Sequence, residues 1–161
     1  MNRPLRRAER AMDKETQEEI LKRGEYGVLG FLGEDGYPRT LPLSYVYDEG
    51  RLYFHSAREG EKVEELRQDP RASFTVVTGT KVLPELFSTA YQSVIGVGHV
   101  SVVEGEEKKQ ALRRLLAKYS PEHRKTGEEY LLRAEKATLV YRMDLLQVTG
   151  KERKAPPEKE D

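Results

Sequence analysis

Runs of apolar residues with strand-like character recur along this chain, separated by turns and by segments of helical period. Six of these runs predict β-strands, over residues 26–32, 39–47, 51–56, 72–78, 91–103 and 137–148. The turn sequences at residues 33–36 and 48–50 place glycine beside acidic residues, and they link the first three strands as hairpins. Residues 79–90 show no period and predict an irregular connection.

Helical period marks four further segments. They predict helices over residues 14–23, 60–69 and 105–119, and a short helical piece over residues 127–134. Because the strands follow one another through hairpins rather than alternating with crossover helices, their order favours an antiparallel barrel or sandwich over a Rossmann sheet. The predicted fold class is therefore mainly β, with the helices at the periphery.

Length and composition narrow the class of protein. A chain of 161 residues fits one domain, predicted over residues 13–150. The arginine-rich residues 1–12 predict a flexible arm, and the charged residues 151–161 predict a disordered tail. Lysine plus arginine equals aspartate plus glutamate at 28 each, so no overall field favours nucleic acid or a membrane surface. The absence of cysteine excludes disulfides and thiolate catalysis, and it fits a cytoplasmic protein.

The segment from Phe54 to Lys62 carries the strongest chemical signal. A strand ends there, a short loop follows, and a helix begins, with Ser56 and Arg58 just before it and Lys62 in its first turn. Cations at a helix N-terminus oppose the helix dipole, and a bound phosphate would remove that conflict. The alternative is that Lys62 points into solvent and Arg58 pairs with a nearby glutamate.

Two other segments and one histidine are candidate ligand contacts. Pro42 interrupts a strand, which leaves backbone groups of Leu43 and Ser44 free for a ligand or simply marks an edge strand. Phe87 precedes a strand with small polar residues, and core packing is the alternative for it. His55 ends a strand and is interpreted as a polar residue near a ligand; no histidine spacing supports a metal site.

An ordered set of short motifs covers roughly residues 10–152. The motifs are residues 39–45, residues 52–57, Gly60-x-Lys62, Asp69-Pro70, residues 91–98 and residues 149–151. The set resembles the nitroimidazole-reductase-like (Nim-type) branch of the pyridoxamine 5′-phosphate oxidase-like flavoproteins. The tryptophan that such relatives often carry before residues 91–95 is absent here, and Phe87 is the nearest match.

The resemblance implies a six-stranded antiparallel split β-barrel with Greek-key character. It also implies a homodimer with two FMN sites, each built from both subunits. By matching positions, the cofactor-binding residues are expected to be Arg39, Pro42, Leu43, Ser44, His55, Ser56, Ala57, Lys62, Tyr91, Gln92, Ser93 and Val94. The segment 39–44 is expected along the flavin ring, His55, Ser56 and Lys62 around the phosphate and ribityl chain, and residues 91–94 near the phosphate or ring.

The function that the resemblance implies is an FMN-dependent oxidoreductase. Reduced flavin would pass a hydride or electrons to a small acceptor such as a nitroaromatic or a quinone, and His55 is the one candidate for a local proton donor. A flavin store or redox sensor without turnover is an alternative. So are a barrel that uses haem, with His55, His99 or His123 as axial ligand, or deazaflavin F420, and a dimeric interaction domain.

Overall fold

The computed structural model describes residues 7–157. Within them the chain forms strands β1 Gly27–Leu32, β2 Pro38–Leu43, β3 Val46–Asp48, β4 Arg51–Ala57, β5 Arg71–Leu83, β6 Ser88–Val103 and β7 Thr138–Arg153. The α-helices are α1 Lys14–Arg23, α2 Glu61–Gln68, α3 Gly105–Tyr119 and α4 Arg124–Ala134. Short 3₁₀ turns lie at Ala8–Arg10, Pro84–Leu86, Pro121–His123 and Glu135–Ala137. None of the described helices is long and apolar enough to span a membrane.

All seven strands belong to one antiparallel sheet in the order β2-β1-β5-β6-β7-β4-β3. The mainly β class with peripheral helices is confirmed. The prediction of six strands in a barrel is wrong for the described chain, because the sheet has seven strands and stays open. Its two edges are β2 and β3, and they do not pair with each other.

The extra strand arises because the predicted strand 39–47 divides at Ser44 and Tyr45. Leu43, just before the division, pairs with Gly27 on one edge of the sheet, and Val46, just after it, pairs with Tyr53 on the other edge. Tyr45 is fully buried at the crossing. Its backbone amide donates to the Tyr119 hydroxyl (3.0 Å) and its own hydroxyl donates to the Leu21 carbonyl (2.7 Å). These bonds replace the ladder that a continuous strand would make.

The predicted irregular connection at residues 79–90 is also wrong. β5 and β6 continue through this segment as a long hairpin, and the 3₁₀ turn Pro84–Leu86 joins them. A register shift between Thr78 and Lys81, with Gly79 at a positive φ of 61°, breaks the alternation on which the sequence argument depends. Phe87 at the tip has a positive φ of 48° and its side chain is 97% exposed.

The last strand extends past the predicted domain end. β7 runs to Arg153, and Ala11 forms an isolated bridge with Lys151. The Met12 amide also donates to the Gly150 carbonyl (3.1 Å). The residues just inside the predicted arm and tail are therefore tied to the sheet, whereas residues 1–6 and 158–161 lie outside the described part of the chain.

The buried core forms two clusters. One cluster is the inner core, in which the Tyr45 ring meets the Phe74 ring edge to face at 4.9 Å and the Phe54 ring stacks on the Tyr141 ring at 5.2 Å. Helix α1 adds Ile20 and Leu21 to this cluster, and α2 adds Leu66. The other cluster lies beneath α3 and consists of Val46, Tyr53, Val103, Ala111, Leu112, Leu115 and Val140. Helices α1 and α2 therefore contribute to the inner core, and α2 brings the candidate phosphate site to the end of β4.

Candidate functional site

Helix α2 starts directly beyond the end of β4, and its first turn is open. Gly60 is the N-cap residue, and its φ of 130° is one that residues other than glycine rarely adopt. Because glycine has no side chain, no side-chain hydrogen bond caps this end of the helix. Its carbonyl already accepts from Val63 (2.9 Å) and Glu64 (3.4 Å). The free amides of the first turn give this end of α2 a partial positive charge.

Two basic side chains stand at this helix start without an acidic partner. Lys62 is half-buried, and within residues 7–157 it makes no ion pair; its burial lowers its pKa. Desolvation by surrounding protein lowers the pKa of His55, and the neighbouring Lys62 charge lowers it further. Both shifts mean that the folded chain disfavours the charged forms of these groups. An anion bound between them would reverse that effect, because it stabilises each cation.

A buried hydroxyl near Ser56 lacks a hydrogen-bond partner among the described residues. The Tyr141 hydroxyl is buried and makes no hydrogen bond of normal geometry to the described residues. Burial raises the pKa of Tyr141, and the nearby Ser56 hydroxyl partly offsets that rise. Ser56 itself donates to the Ala57 carbonyl (2.8 Å). Since buried polar groups are nearly always hydrogen-bonded, an unpaired hydroxyl here favours a polar ligand atom or a water close to Ser56.

Two arginines near the site are already bonded. Arg39, the second residue of β2, pairs with Asp35 (2.9 Å) and with the buried Glu65 of α2 (3.5 Å). Its hydrogen bond to Asp35 raises its pKa. Arg58 donates to the Lys136 carbonyl. The sequence had suggested Arg58 as part of the anion site, but the structure leaves Lys62 and His55 as the basic groups that are free there.

The remaining predicted residues of β2 lie at its other end. Pro42 faces Val28 and Leu43 faces Gly27 across the ladder, and Ser44 is exposed just beyond the strand. The interpretation of Pro42 as an edge-strand proline is confirmed, because β2 is an edge of the sheet. Ala57 is exposed at the end of β4, beside the first turn of α2.

Residues 91–94 are far from this helix start within one chain. Ser93 pairs with Lys151 in β7, whereas Ser56 pairs with Leu139 at the opposite end of the same strand. At about 3.3 Å per residue, roughly 40 Å of β7 separates Leu139, which lies opposite Ser56, from Lys151, which lies opposite Ser93. The side-chain nitrogen of Gln92 donates to the Glu152 carboxylate (3.2 Å), and the side-chain oxygen of Gln92 accepts from the Arg23 guanidinium. The twelve predicted residues thus form separate groups in one chain.

Val94 lies in the interior of the chain. Its side chain is fully buried in the inner core, and its backbone lies between its ladder partners Val76 in β5 and Gly150 in β7. Tyr91 and Ser93, its neighbours, are partly exposed.

The structure adds two residues to the site that the sequence did not single out. Tyr141 gave no signal, because it lies in the middle of an ordinary strand and meets Ser56 only through the pairing of β4 with β7. The sequence carries a weak signal that Glu65 faces the protein near Lys62, because it lies one helical turn after Lys62 and between the apolar residues of α2.

A second concave surface lies on the outer face of the sheet. It is a groove of about 530 Å³. The apolar residues that line it include Phe31, Leu32, Pro38, Val97 and Leu146. Arg39, Arg71 and His99 also line it, and Arg71 pairs with Asp69 (2.6 Å).

Comparisons with known proteins agree with this architecture. The family model described as pyridoxamine 5′-phosphate oxidase matches residues 13–152. A candidate 5-nitroimidazole antibiotic resistance protein from Bacteroides thetaiotaomicron is 25% identical, with a TM-score of 0.72 over 88% of this chain and 85% of that one. A conserved hypothetical protein from Mycobacterium tuberculosis is 17% identical, with a TM-score of 0.82 over 99% and 98%. An FAD and haem binding protein from Mycobacterium smegmatis is 18% identical, with a TM-score of 0.74 over 92% and 75%. The search of curated proteins finds no match.

Proposed function

Because the chain belongs to the pyridoxamine 5′-phosphate oxidase family, we propose that it binds FMN with the phosphate at the start of α2. The observation that carries this proposal is the pair formed by His55 and Lys62. Two basic groups stand together beside an open helix N-terminus, and no carboxylate within the described chain neutralises them. A phosphate supplies the missing charge and accepts hydrogen bonds from the free amides.

Two further polar groups are proposed to contact the same ligand. Ser56 and the Tyr141 hydroxyl lie close to each other, and they offer hydrogen bonds to the ribityl chain of the flavin. Arg39 takes no direct part in this proposal, because two carboxylates already hold its guanidinium. Its contribution is to the position of the surrounding backbone.

We further propose that two copies of the chain share each site. The residues that the family resemblance assigns to the cofactor lie at opposite ends of β7, so a second copy is needed to bring residues 91–94 to the α2 start of the first. Apolar side chains are exposed on the outer face of the sheet, at Val77, Ile95, Val97 and Leu146. Such a row of apolar residues suits contact with another sheet.

The proposed activity is electron transfer to a small acceptor such as a nitroaromatic or a quinone. Bound flavin supplies the hydride or electron chemistry. The chain binds and orients the cofactor. His55 stands beside the proposed phosphate position, and its imidazole can hold or pass a proton at a ring nitrogen. The similarity to a candidate 5-nitroimidazole resistance protein supports the nitroaromatic class of acceptor.

Haem is a second candidate cofactor, and one observation favours it. His99 lines the apolar groove on the outer face of the sheet. A histidine facing an apolar groove is a suitable axial ligand for haem iron. One structurally similar protein is described as binding both FAD and haem.

Replacing Lys62 by alanine tests the phosphate assignment. We expect Lys62→Ala to weaken FMN binding about tenfold or more, as for a lost charged hydrogen bond, and to change riboflavin binding little, because riboflavin has no phosphate. Quenching of flavin fluorescence measures both affinities. Lys109→Ala, which removes an exposed lysine from α3, is the matched control and should leave both affinities unchanged.

Unchanged FMN affinity in Lys62→Ala would remove the phosphate from the start of α2. An equal loss of FMN and riboflavin would contradict the assignment as well. In both cases the melting temperature of the variant should be compared with that of the wild type, so that a loss of fold is not taken for a loss of the site.

A further inference from the structure

Helix α2 is tied to the β1–β2 hairpin through a single buried carboxylate. The Glu65 side chain is 8% exposed. Its Oε1 atom accepts from the Glu34 backbone amide (3.3 Å) and faces the Arg39 guanidinium at 3.5 Å. Arg39 is held from its other side by Asp35 (2.9 Å). A carboxylate this deeply buried is stable only while these partners remain in place.

Glu65 and Lys62 are three residues apart on the same helix. Residues at this spacing are neighbours on the helix surface, so the contact that fixes Glu65 also fixes the turn that carries Lys62. Val63 and Leu66, which flank Glu65, are buried, and they hold the same face of α2 against the sheet. Of these contacts, only those of Glu65 are directional.

From this geometry we infer that Glu65 is a positioning residue, which aligns the first turn of α2 and Lys62 for a phosphate-bearing flavin and so sets the preference of the site for FMN over riboflavin. This inference rests on the proposed function. Glu65 has no contact with the ligand in it; the residue acts through the placement of Lys62 and of the helix amides.

Simple electrostatics makes the opposite prediction, which gives the test a clear sign. Removing a negative charge near a phosphate reduces repulsion, so charge alone predicts that Glu65→Gln binds FMN more tightly. Loss of positioning predicts weaker binding, because the amide of glutamine cannot keep the ion pair with Arg39.

The experiment compares Glu65→Gln with Glu64→Gln in titrations with FMN and with riboflavin. Glu64 is the matched control: it is the preceding residue of α2, it carries the same charge, it is exposed, and its ion pair among the described residues is with Arg67 (2.8 Å). We expect Glu65→Gln to raise the Kd for FMN about tenfold and that for riboflavin less than about twofold, whereas Glu64→Gln changes neither by more than about twofold.

The inference is overturned if Glu65→Gln binds FMN as tightly as the wild type or more tightly, or if it loses both flavins equally. Should this variant not fold by circular dichroism, the double variant Glu65→Gln with Arg39→Gln removes both charges of the buried ion pair and is expected to show the same selective loss of FMN. Wild-type protein that binds neither flavin would contradict the proposed function itself, so the two failures are distinguishable.

Discussion

The basic side chains at the start of α2 are the groups most available to an anionic ligand. The position of Lys62 in the first turn of a helix could be predicted from sequence, because a strand, a short loop and a helix start are visible in the apolar pattern around it; its contact with a phosphate stays a prediction. The freedom of Arg58 could not be judged in the same way, since its actual partner, the Lys136 carbonyl, lies more than seventy residues away along the chain. For the same reason the sequence carries no signal for Tyr141, whose approach to Ser56 arises from the pairing of β4 with β7. Local chemistry is readable from sequence, whereas a side chain's partners depend on the strand pairing.

The pKa of His55 should respond to the phosphate. In the protein alone we expect it to lie below the ordinary histidine value, because desolvation and Lys62 both disfavour the imidazolium. Bound FMN should raise it, because the phosphate stabilises the cation. NMR titration of the His55 ring protons, with and without FMN, measures the shift, and His123 serves as an exposed reference within the same spectrum.

Riboflavin in place of FMN should leave the His55 pKa nearly unchanged. A His55 pKa that stays the same on addition of FMN would show that the phosphate binds elsewhere. The test depends on the direction in which FMN changes the His55 pKa, and the size of that change is secondary.

At the scale of secondary structure, two elements show what sequence pattern can and cannot give. The helices and most strands were predicted within a few residues, because their apolar period continues without a break. The strand 39–47 was not seen to divide, because Leu41, Leu43, Tyr45 and Tyr47 keep a perfect alternation across the point where the chain changes edges. Only the buried hydrogen bonds of Tyr45 show the division. The hairpin at residues 79–90 was missed because the register shift near Gly79 breaks its alternation.

The C-terminal end of α3 clamps this division, and the clamp should give stability a pH dependence. The Lys118 ammonium donates to the Tyr45 carbonyl (2.9 Å) and lies 4.0 Å from the centre of the Tyr45 ring. Burial lowers the pKa of Lys118 to about 8, compared with 10.5 for a free lysine. Between these two pH values the unfolded chain binds more protons than the folded one, so the free energy of unfolding should rise with pH over this window.

Lys118→Met lacks this titration and keeps a side chain of similar length. Urea unfolding at several pH values from 7 to 10.5 should show the wild type gaining stability relative to the variant above pH 8, with a constant difference below it. The tyrosines also titrate near the top of this range, but they are common to both proteins. A constant difference across the whole range would show that the Tyr45 ring keeps Lys118 charged.

At the scale of the whole molecule, the order of the strands matters more than any single motif. The open sheet places residues 55–57 and residues 91–94 at opposite ends of β7, and it leaves apolar side chains exposed on its outer face. The family resemblance had implied a shared site, and the observed separation within one chain gives that proposal a physical reason. The apolar pattern could not have supplied it, because alternation identifies a strand's two faces without telling which face a helix covers.

The most direct test of the account is gel filtration of the purified protein with FMN, recorded at the flavin absorption bands and repeated at decreasing protein concentration. We predict flavin bands that elute with a dimer and a release of flavin as the dimer dissociates. A Soret band would instead favour haem. A monomer that retains FMN would contradict the shared site, and a colourless protein that does not take up added FMN would contradict the cofactor assignment.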